Sequence, residues 1–425
     1  MSITIVGNSA AAVGAIEAIR EIDRDVAIQV VTAEGPAIYS RPLISHYVGG
    51  EIDQGRLAYR PPSFYEAHNV QALFEEPVTA LDPAGHTITT DRGRLLAYDQ
   101  LLLAVGGSPI VPPMPGLELE GVVTFATLGD AAAIDRLIGA GRVSHAVVVG
   151  GGMIGIKATD ALLKRGVGVT MVELAPRILI RALDEQGAAM MTDLFKGAGV
   201  RVLTENTVAE IVPQDGRVAG VVLQDGQRLD CDLLVFGIGV RPNVALAREA
   251  GLEVDRGVVV DRAMRTSDPS IYAAGDVAEA YDLVVDLNRT VAIWPNAYRQ
   301  GAIAGAQMVG QPRQDQGGIA MNAIEVAGVP CVAIGEGNAE GDGYDVLTRS
   351  SPERRQYRRL VLEGNRLVGV ILVGNISHAG IYTGLIRYRV DISAHRDSLL
   401  SDRLSLLSVP EDYRKHVVRG QGIEV

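Results

Sequence analysis

The sequence predicts an α/β protein that contains two strand–turn–helix–strand units. The first strand, at residues 3–6, runs into a turn at residues 7–9 and then into a helix-like stretch. A second copy begins with the strand at residues 146–149 and turns through residues 150–152 into a helix that reaches about Lys164. The two units lie about 143 residues apart and indicate an internal architectural repeat. The 49 glycines and the aromatic content of 4% also favour tight strand-to-helix turns over an all-β sandwich.

Length and charge narrow the class of protein. A chain of 425 residues with 47% hydrophobic residues suits two or three domains with sizeable cores. A formal net charge of −12 opposes non-specific binding to nucleic acid, which needs Lys and Arg to neutralise phosphates. No apolar run approaches the roughly 18–20 residues that span a bilayer, and the first residues lack the basic start of a signal peptide. We therefore expect a soluble, cytoplasmic protein that binds neither nucleic acid nor membrane.

Cysteine usage limits the chemistry. Cys231 and Cys331 are the only two cysteines of the sequence. They are too few for a disulfide scaffold, a four-cysteine zinc site or a cysteine-ligated iron–sulfur cluster held by this chain alone. Both lie in apolar, strand-like contexts, so we expect core positions for them and no metal site. The chemistry must come from a bound cofactor or from ordinary side chains.

Each glycine-rich turn predicts a phosphate site. A small-residue turn between a strand and a helix lets phosphates approach the backbone N–H groups and the positive end of the helix dipole. The first turn has a relaxed pattern with one glycine, and a close-packed crossover is its structural alternative; the second carries three glycines. The candidate residues are Gly7, Ser9, Ala10 and Ala12 in the first turn, and Gly150, Gly152, Met153, Ile154 and Gly155 in the second.

An acidic residue follows the second strand of each unit. Glu34 and Glu173 stand 27 and 23 residues after the first glycine of their turns, where a carboxylate can accept both hydroxyls of an adenosine ribose. The alternative is an exposed carboxylate at a strand end. At the second site, Glu173 would repel a 2′-phosphate and favours NADH over NADPH, whereas the nearby Arg177 and Arg181 keep NADPH open.

Three further motifs make the pattern specific: the small-residue strand ends at residues 101–107 and 233–239, and the segment Tyr272-Ala273-Ala274-Gly275-Asp276-Val277. With the two turns, they resemble the FAD- and NAD(P)-dependent pyridine nucleotide-disulphide oxidoreductase superfamily along the full chain. The resemblance implies an α/β fold with two Rossmann-like domains, the NAD domain inserted into the FAD domain, and a small α+β C-terminal domain. The implied domains are residues 1–111 and 241–312 for FAD, 112–240 for NAD(P)H and 313–425 for the interface domain.

The resemblance also implies further cofactor-binding residues. Asp276 is carried into the role of the aspartate that hydrogen-bonds the ribityl chain of the flavin. The remaining positions implied for FAD are Arg41, Pro42, Val78, Ala104, Gly106, Gly275 and Asn296, and those implied for NAD are Gly237, Ile238 and Gly239.

Within the superfamily, the chain most resembles the branch of rubredoxin reductases and nitrite reductase flavoproteins. The segments at residues 39–45, 294–297 and 379–387 match that branch. Pro42 lies about where the disulfide reductases place a redox-active cysteine, and neither cysteine of this chain can replace it. The resemblance therefore implies that electrons leave the flavin directly.

Lys157 is the one catalytic candidate. Many relatives pair a lysine beside the redox segment with a glutamate on the helix after the nicotinamide turn, and here those positions hold Ser45 and Lys157. Our hypothesis is that Lys157 supplies a positive charge near flavin N5, which would stabilise a reduced flavin anion; the alternative is a solvated helix lysine. His46 is a rival polar group without an assigned proton-transfer role. Trp294, at the start of a helix near Pro295, packs either beside the flavin or in the core.

The implied function is hydride transfer from NADH C4 to flavin N5, followed by delivery to an acceptor. The main expectation is a small iron–sulfur protein or partner subunit, such as rubredoxin or ferredoxin, received by the arginines of residues 354–359; the alternative is that these arginines form a solvated strand face. Two other functions stay open: an NADH oxidase that reduces oxygen to peroxide, and an FAD-binding subunit of a larger redox complex. The third domain forms dimer contacts in many relatives, so a homodimer and a contact with another protein are both open.

Overall fold

A computed structural model describes residues 1–405 and residue 409. The strands of the described part are, in chain order, β1 (Ser2–Val6), β2 (Ala27–Val31), β3 (Val70–Leu73), β4 (Val78–Asp82), β5 (Thr87–Thr90), β6 (Leu95–Ala97), β7 (Gln100–Leu103), β8 (Gly107–Pro109), β9 (Val122–Thr124), β10 (His145–Val149), β11 (Gly168–Val172), β12 (Arg201–Leu203), β13 (Val208–Gln214), β14 (Arg217–Leu223), β15 (Arg228–Asp230), β16 (Leu233–Phe236), β17 (Val240–Pro242), β18 (Val258–Val259), β19 (Ile271–Ala273), β20 (Ala278–Asp282), β21 (Leu287–Arg289), β22 (Met321–Val326), β23 (Val329–Gly335), β24 (Tyr344–Ser351), β25 (Gln356–Glu363) and β26 (Arg366–Val373). The α-helices are α1 (Ala10–Ile22), α2 (Ile44–Val48), α3 (Phe64–Ala67), α4 (Leu128–Gly139), α5 (Met153–Lys164), α6 (Glu185–Gly197), α7 (Ala245–Glu249), α8 (Trp294–Met308) and α9 (Ala379–Arg387).

The chain divides into two compact units. The first unit contains residues 1–110, 126–131 and 240–318. Its main sheet has the strand order β19-β7-β1-β2-β3, and every pairing in it is parallel. The buried core of this unit is rich in Ala, Val and Ile, as expected for strands that are covered on both faces. The parallel order brings the carboxyl ends of β1, β7 and β19 together at one edge.

Helices α1 and α8 pack at unusually short range in the first unit. Gly301 and Gly305 of α8 face Ala11 and Ala15 of α1, and a Cβ built on Gly301 would collide with the Ala11 carbonyl oxygen. Small residues four positions apart on both helices allow the backbones to approach closely, because no long side chain stands between them. As a result, the first turns of the two helices are fixed with respect to each other.

A short antiparallel ribbon marks the points where the inserted segment leaves and rejoins the first unit. Strand β8 pairs with β17, with Gly107 opposite Pro242 and Pro109 opposite Val240. Asn243 strengthens the ribbon, because its Nδ2 donates to the Val105 carbonyl at 2.8 Å and its Oδ1 accepts from Ser108 Oγ at 2.7 Å.

The described part of the second unit contains residues 111–125, 132–239 and 319–405. Its parallel sheet has the order β12-β11-β10-β16-β9, and β13-β14-β15 form a small antiparallel sheet. The C-terminal part adds a five-stranded antiparallel sheet of order β22-β23-β26-β25-β24. The structure therefore groups the C-terminal sheet with the inserted segment, whereas the four-part domain division made from the sequence stays a prediction.

A buried polar cluster joins the C-terminal sheet to the inserted segment. The Asp184 carboxylate accepts from the Tyr357 hydroxyl at 2.5 Å, caps α6 by accepting from Gly187 N at 3.1 Å, and lies 3.5 Å from the Arg359 guanidinium. Arg359 also donates to the carbonyls of Gly337 and Ala339. These donors and acceptors satisfy one another away from water, which offsets the cost of burying charge.

This cluster corrects the expectation for residues 354–359. Arg358 and Arg359 are only 6% and 7% exposed, so they neither form a solvated strand face nor lie open for a partner. Arg354 and Arg355 at the preceding turn are exposed. Strand alternation does not explain the burial. The carbonyls of residues 337, 339, 400 and 401 accept hydrogen bonds from the two guanidinium groups, and Asp184 forms an ion pair with Arg359.

The repeated units are confirmed with small shifts of their ends. Helix α5 ends at Lys164 as predicted, and α8 starts one residue before Pro295. The C-terminal strands β25 and β26 are longer than the sequence indicated, and the polar helical end corresponds to α9 and a 3₁₀ turn at residues 393–398; the rest of that prediction lies outside the described residues. In the described part of the chain, none of the helices combines the length and apolar character of a membrane span.

Candidate functional site

Gly7 lies where β1 meets α1 at the carboxyl edge of the first sheet. Its φ of +121° is a conformation that L side chains rarely adopt, and an added Cβ would collide with the carbonyl oxygen of Ala104 at the end of β7. The turn is thus pressed against the neighbouring strand end. The close approach leaves the amino end of α1 facing the open edge of the sheet, where a phosphate can reach it.

The start of α1 has free hydrogen-bonding capacity. Ser9 is the N-cap residue in an extended conformation, and its side chain makes no capping bond to the described residues. Ala10 is the first helical residue, and Ala12 is buried. The first N–H groups of a helix have no partner within the helix. Their positive partial charge suits the pyrophosphate of a dinucleotide.

Gln300 holds the turn at Gly275, although sequence reasoning did not single it out. The buried amide of Gln300 accepts a hydrogen bond from Gly275 N at 2.9 Å. Gly275 has a φ of +82°, and the Ala274 N–H donates to Leu103 at the end of β7. A lone glutamine in the small-residue face of α8 is the signal that could have identified it.

Asp276 follows this turn, and its side chain is half-buried. It has no hydrogen-bond partner among residues 1–405, and burial raises its pKa, against a smaller opposing effect from the positive charge of Arg41. A buried carboxylate without a partner is costly, and hydroxyl donors of a ligand would remove that cost. The residues present therefore fit the sugar-alcohol chain of a flavin, as the sequence predicts.

We expect Asp276→Asn to stabilise the apoprotein and to weaken FAD binding. Folding raises the pKa of Asp276, so ionisation of this carboxyl destabilises the folded protein. The free energy of unfolding therefore falls as pH rises from the unfolded-state pKa to the folded-state pKa, and this destabilisation is absent below the unfolded-state pKa. The variant should thus have the higher Tm at pH 7 and lose this advantage in acid. FAD affinity should fall about tenfold to a hundredfold, as for one lost charge-assisted hydrogen bond. Apoprotein Tm against pH and FAD titration measure both effects; an unchanged FAD affinity would contradict the assignment.

Glu34 lies beyond the end of β2 and is engaged by two neighbours. Its carboxylate accepts from the Tyr39 hydroxyl at 2.9 Å and pairs closely with the Arg41 guanidinium. Arg41 also donates to the Ala126 carbonyl at 2.9 Å, and the Leu128 N–H donates to the Tyr39 hydroxyl at 3.2 Å. Tyr39 and Arg41 therefore orient the predicted ribose-binding carboxylate, and they hold residues 126–128 in the first unit.

The other predicted FAD residues of this unit occupy four separate places. Val78 begins β4, soon after the segment at residues 73–76 that hydrogen-bonds along residues 32–34. Pro42 is exposed in a 3₁₀ turn, Arg41–Leu43. Gly106 precedes the ribbon with a φ of +62°, and Asn296 is buried in the first turn of α8. No ligand contact tests these positions, which stay predictions.

Trp294 and the polar residues near Pro42 also have protein partners. The Trp294 ring packs edge-on against Tyr59, with centroids 5.1 Å apart, and lies against the core of the first unit. His46 pairs closely with Glu51, and Ser45 Oγ lies 3.4 Å from the Pro42 carbonyl. Core packing of Trp294 is therefore observed.

The second dinucleotide turn is tighter than the first. Gly150 has a φ of +108°, and a Cβ there would lie 2.6 Å from the Gly237 carbonyl oxygen at the end of β16. A Cβ on Gly155 would collide with the Gly150 carbonyl oxygen. These glycines thus permit the close packing of α5 against β10 and β16, which the three-glycine pattern predicts.

Gly152 differs from its neighbours because its Cβ direction is open. It is the N-cap of α5, with φ of −80°, and among the described residues no atom lies within 4 Å of an added Cβ. Met153 and Ile154 begin the helix, both half-buried. Ile238 is 38% exposed between Gly237 and Gly239 on the neighbouring strand end. The predicted NAD residues therefore share one edge of the second unit's parallel sheet.

Glu173 stands at the end of β11 beside this turn. Its carboxylate accepts from Gly151 N at 2.5 Å and from Ala175 N at 2.7 Å. Arg177 is half-buried with a buried Nε that has no partner among the described residues, whereas Arg181 is exposed. The carboxylate is thus fixed at the predicted ribose position.

Lys157 lies one helical turn after the amino end of α5. It is half-buried, and burial lowers the pKa of its ammonium group while Asp160 opposes that effect. The cause is desolvation of a charge. Its role beside the flavin stays a prediction.

The two cysteines are confirmed as core residues. Cys231 and Cys331 are 4% and 2% exposed, and burial raises the pKa of each thiol to about 12. Thiols that stay protonated at neutral pH are poor nucleophiles and poor redox relays.

Two glycine-rich turns, each on a parallel sheet and each followed by a strand-end carboxylate, define a protein that binds two dinucleotides. Residues 1–301 match the pyridine nucleotide-disulphide oxidoreductase family, and residues 321–390 match the rubredoxin NAD⁺ reductase C-terminal domain. The chain therefore belongs to the pyridine nucleotide-disulphide oxidoreductase family, whose members use FAD and NAD(P)H.

Individual relatives agree with this placement. The chain is 32% identical to nitrite reductase [NAD(P)H] of Bacillus subtilis over 92% of its own length, but it spans only 48% of that relative. It is 29% identical to the epsilon subunit of NADH-dependent phenylglyoxylate dehydrogenase from Aromatoleum evansii, with 95% of each chain covered. Rubredoxin-NAD(+) reductase of Pseudomonas putida is 33% identical over 73% of this chain and 80% of the relative. The putidaredoxin reductase in its covalent complex with putidaredoxin superposes with a TM-score of 0.86 at 29% identity, covering 98% of both chains.

Proposed function

We propose that this protein is an FAD-dependent NADH:acceptor oxidoreductase that delivers electrons to a small iron–sulfur protein or partner subunit. Bound FAD would supply the redox chemistry between a two-electron donor and the acceptor. In the first unit, the α1 turn would hold the pyrophosphate, Glu34 the adenosine ribose and Asp276 the ribityl hydroxyls. In the second unit, the α5 turn and Glu173 would hold NADH.

The state of the thiols is the observation that carries this proposal. Pro42 lies about where the resemblance places a redox-active cysteine. Cys231 and Cys331 are buried, and burial raises the pKa of each thiol to about 12. Disulfide exchange needs an accessible thiolate, so the chain cannot reduce a disulfide through its own dithiol. Because the side chains offer no thiol relay, electrons would pass directly from the flavin to an external acceptor. The relatives named for rubredoxin and putidaredoxin support an iron–sulfur acceptor.

A second candidate is the electron-input subunit of a larger redox enzyme. The epsilon subunit from Aromatoleum evansii favours it, because this chain covers 95% of that subunit. Both candidates use the same NADH-dependent half-reaction and differ in whether the acceptor dissociates after each transfer.

Steady-state NADH oxidation separates these functions when it is measured with each carrier under nitrogen and, in a parallel assay, with oxygen alone. We expect turnover with a rubredoxin or a [2Fe–2S] ferredoxin and little turnover with oxygen alone. Comparable turnover with oxygen alone would instead identify a peroxide-forming NADH oxidase. Flavin bleaching by NADH without turnover on any soluble carrier would favour the subunit. No bleaching would contradict both.

We expect NADH to be preferred over NADPH, and Glu173→Gln to reduce that preference. The fixed carboxylate repels a 2′-phosphate, whereas a glutamine keeps the acceptor oxygen and removes the charge. The ratio of kcat/KM for NADH to that for NADPH should fall about tenfold, which corresponds to about 1.4 kcal/mol. Glu185→Gln, at an exposed carboxylate of the same unit, is the matched control. An unchanged ratio in Glu173→Gln would remove Glu173 from the specificity site.

A further inference from the structure

A cavity that is open to solvent lies at one end of the five-stranded antiparallel sheet in the second unit. Its walls come from β24, β25, the turn between them and the segments around residues 375 and 402. The polar residues that line it include Arg349, Ser351, Arg354, Gln356, Arg358 and Asp402. None of them belongs to the two dinucleotide turns, and the proposed function does not use them.

The cavity concentrates positive charge. Arg349 stands directly opposite Arg358 in the β24–β25 register, and like charges facing across strands are destabilising. Among the described residues that line the cavity, Asp402 is the only carboxylate, with Oδ2 2.8 Å from Arg349 and Oδ1 3.6 Å from Arg358. Within residues 1–405, three guanidinium groups against one carboxylate leave an excess of two positive charges at the cavity.

The guanidinium groups are held in place but keep free donors. Arg349 and Arg358 each donate to the Leu400 carbonyl, at 3.0 and 3.1 Å, and Arg358 is 6% exposed. Arg354 is exposed on the turn, and the described residues provide it with no hydrogen-bond or ion-pair partner. Since each guanidinium carries five N–H donors, Arg354 can offer several of them to a ligand. Ser351 and Gln356 add neutral donors at the rim.

We propose that this cavity binds a phosphate-class oxyanion, either inorganic phosphate or the phosphoryl group of a phosphomonoester. The planar fork of arginine matches two oxygens of a phosphate, and charge-assisted bonds of this kind are the strong ones. A phosphomonoester carries two negative charges above its second pKa, near 6, and the excess of two positive charges would neutralise them. Arg358 forms the base of the site, Arg349 its wall and Arg354 the arm that closes on the ligand.

Titration of the FAD-loaded protein with inorganic phosphate tests the site. Calorimetry at constant ionic strength, with chloride as the balancing ion, should show saturable binding to one site. Arg354→Ala should weaken the binding at least about tenfold, as expected for one lost charge-assisted contact. Arg366→Ala removes one charge from the same sheet, outside the cavity, and should leave the binding unchanged. Arg349→Gln should act as Arg354→Ala does.

Two further experiments locate the bound anion and identify its class. Gly152→Glu blocks the nucleotide turn, so phosphate binding should persist in that variant; its loss would place the phosphate at the turn and overturn the proposal. Tighter binding of glycerol phosphate than of inorganic phosphate would assign the site to a phosphomonoester, and the reverse order to free phosphate. No saturable binding, equal binding in Arg354→Ala, or binding of an acidic peptide in place of phosphate would each overturn it.

Discussion

Gly152→Glu should abolish reduction of the flavin by NADH while leaving FAD bound. The Cβ direction at Gly152 is open and its backbone is extended, so a larger side chain fits the protein without strain. A glutamate there would place its carboxylate at the amino end of α5, where the N–H groups would otherwise receive a phosphate. We expect KM for NADH to rise at least about a hundredfold, which corresponds to about 2.7 kcal/mol of lost binding. Stopped-flow bleaching of the flavin measures the effect.

Size and charge can be separated at the same position. Gly152→Gln adds nearly the same volume without charge and should cause a smaller loss, and Gly152→Ala should be close to wild type. Flavin absorbance after gel filtration reports whether FAD is retained. If Gly152→Glu lost FAD and still bound NADH, the two dinucleotide sites would be assigned in the wrong order.

Gly301→Val should destabilise the first unit and release FAD. The new Cβ would overlap the Ala11 carbonyl oxygen, so α8 must move away from α1 or one of the helices must distort. Overpacking of this kind costs about 3 kcal/mol. The start of α1 and the Gln300 contact to Gly275 would both shift, which removes two supports of the FAD site. Denaturant unfolding followed by the fluorescence of Trp294, the only tryptophan of the chain, reports this unit directly.

Gly380→Val is the matched control for that prediction. Gly380 is also a helical glycine, but its position on α9 is exposed and an added Cβ would meet nothing within 4 Å among the described residues. Far-UV circular dichroism follows the unfolding of both units, and by this measure the free energy of unfolding should change by less than about 1 kcal/mol in Gly380→Val. Equal losses in the two variants would show that helix propensity, and not the contact between α1 and α8, sets the cost.

Features encoded by local sequence were predictable. The turns at Gly7 and Gly150 were found because a strand, a small-residue turn and a helix follow one another within about twenty residues, and each part has its own local pattern. The start of α8 was found because proline is favoured in the first turn of a helix. Glu34 and Glu173 followed from their distance to those turns.

Features that depend on long-range contacts were not predictable. The run of arginines at residues 354–359 predicts a charged surface. Arg359 is nevertheless buried, because it forms an ion pair with Asp184, which is far away in the sequence. Gln300 shows the same limit, since its value as an acceptor depends on Gly275 in another element. Tyr39 has no local signal of its role, because its hydroxyl contacts become visible only when Glu34 and Leu128 are brought together.

The β8–β17 ribbon has an evolutionary consequence. Gly107 and Pro242 are register partners, so the inserted segment departs and returns at neighbouring backbone positions. A gene could therefore gain, exchange or lose that segment, because both junctions fall in one short hairpin-like element. Proteins tolerate insertions best where the two ends of the inserted segment lie close together. Selection could in this way exchange the inserted segment without redesigning the parallel sheet of the first unit.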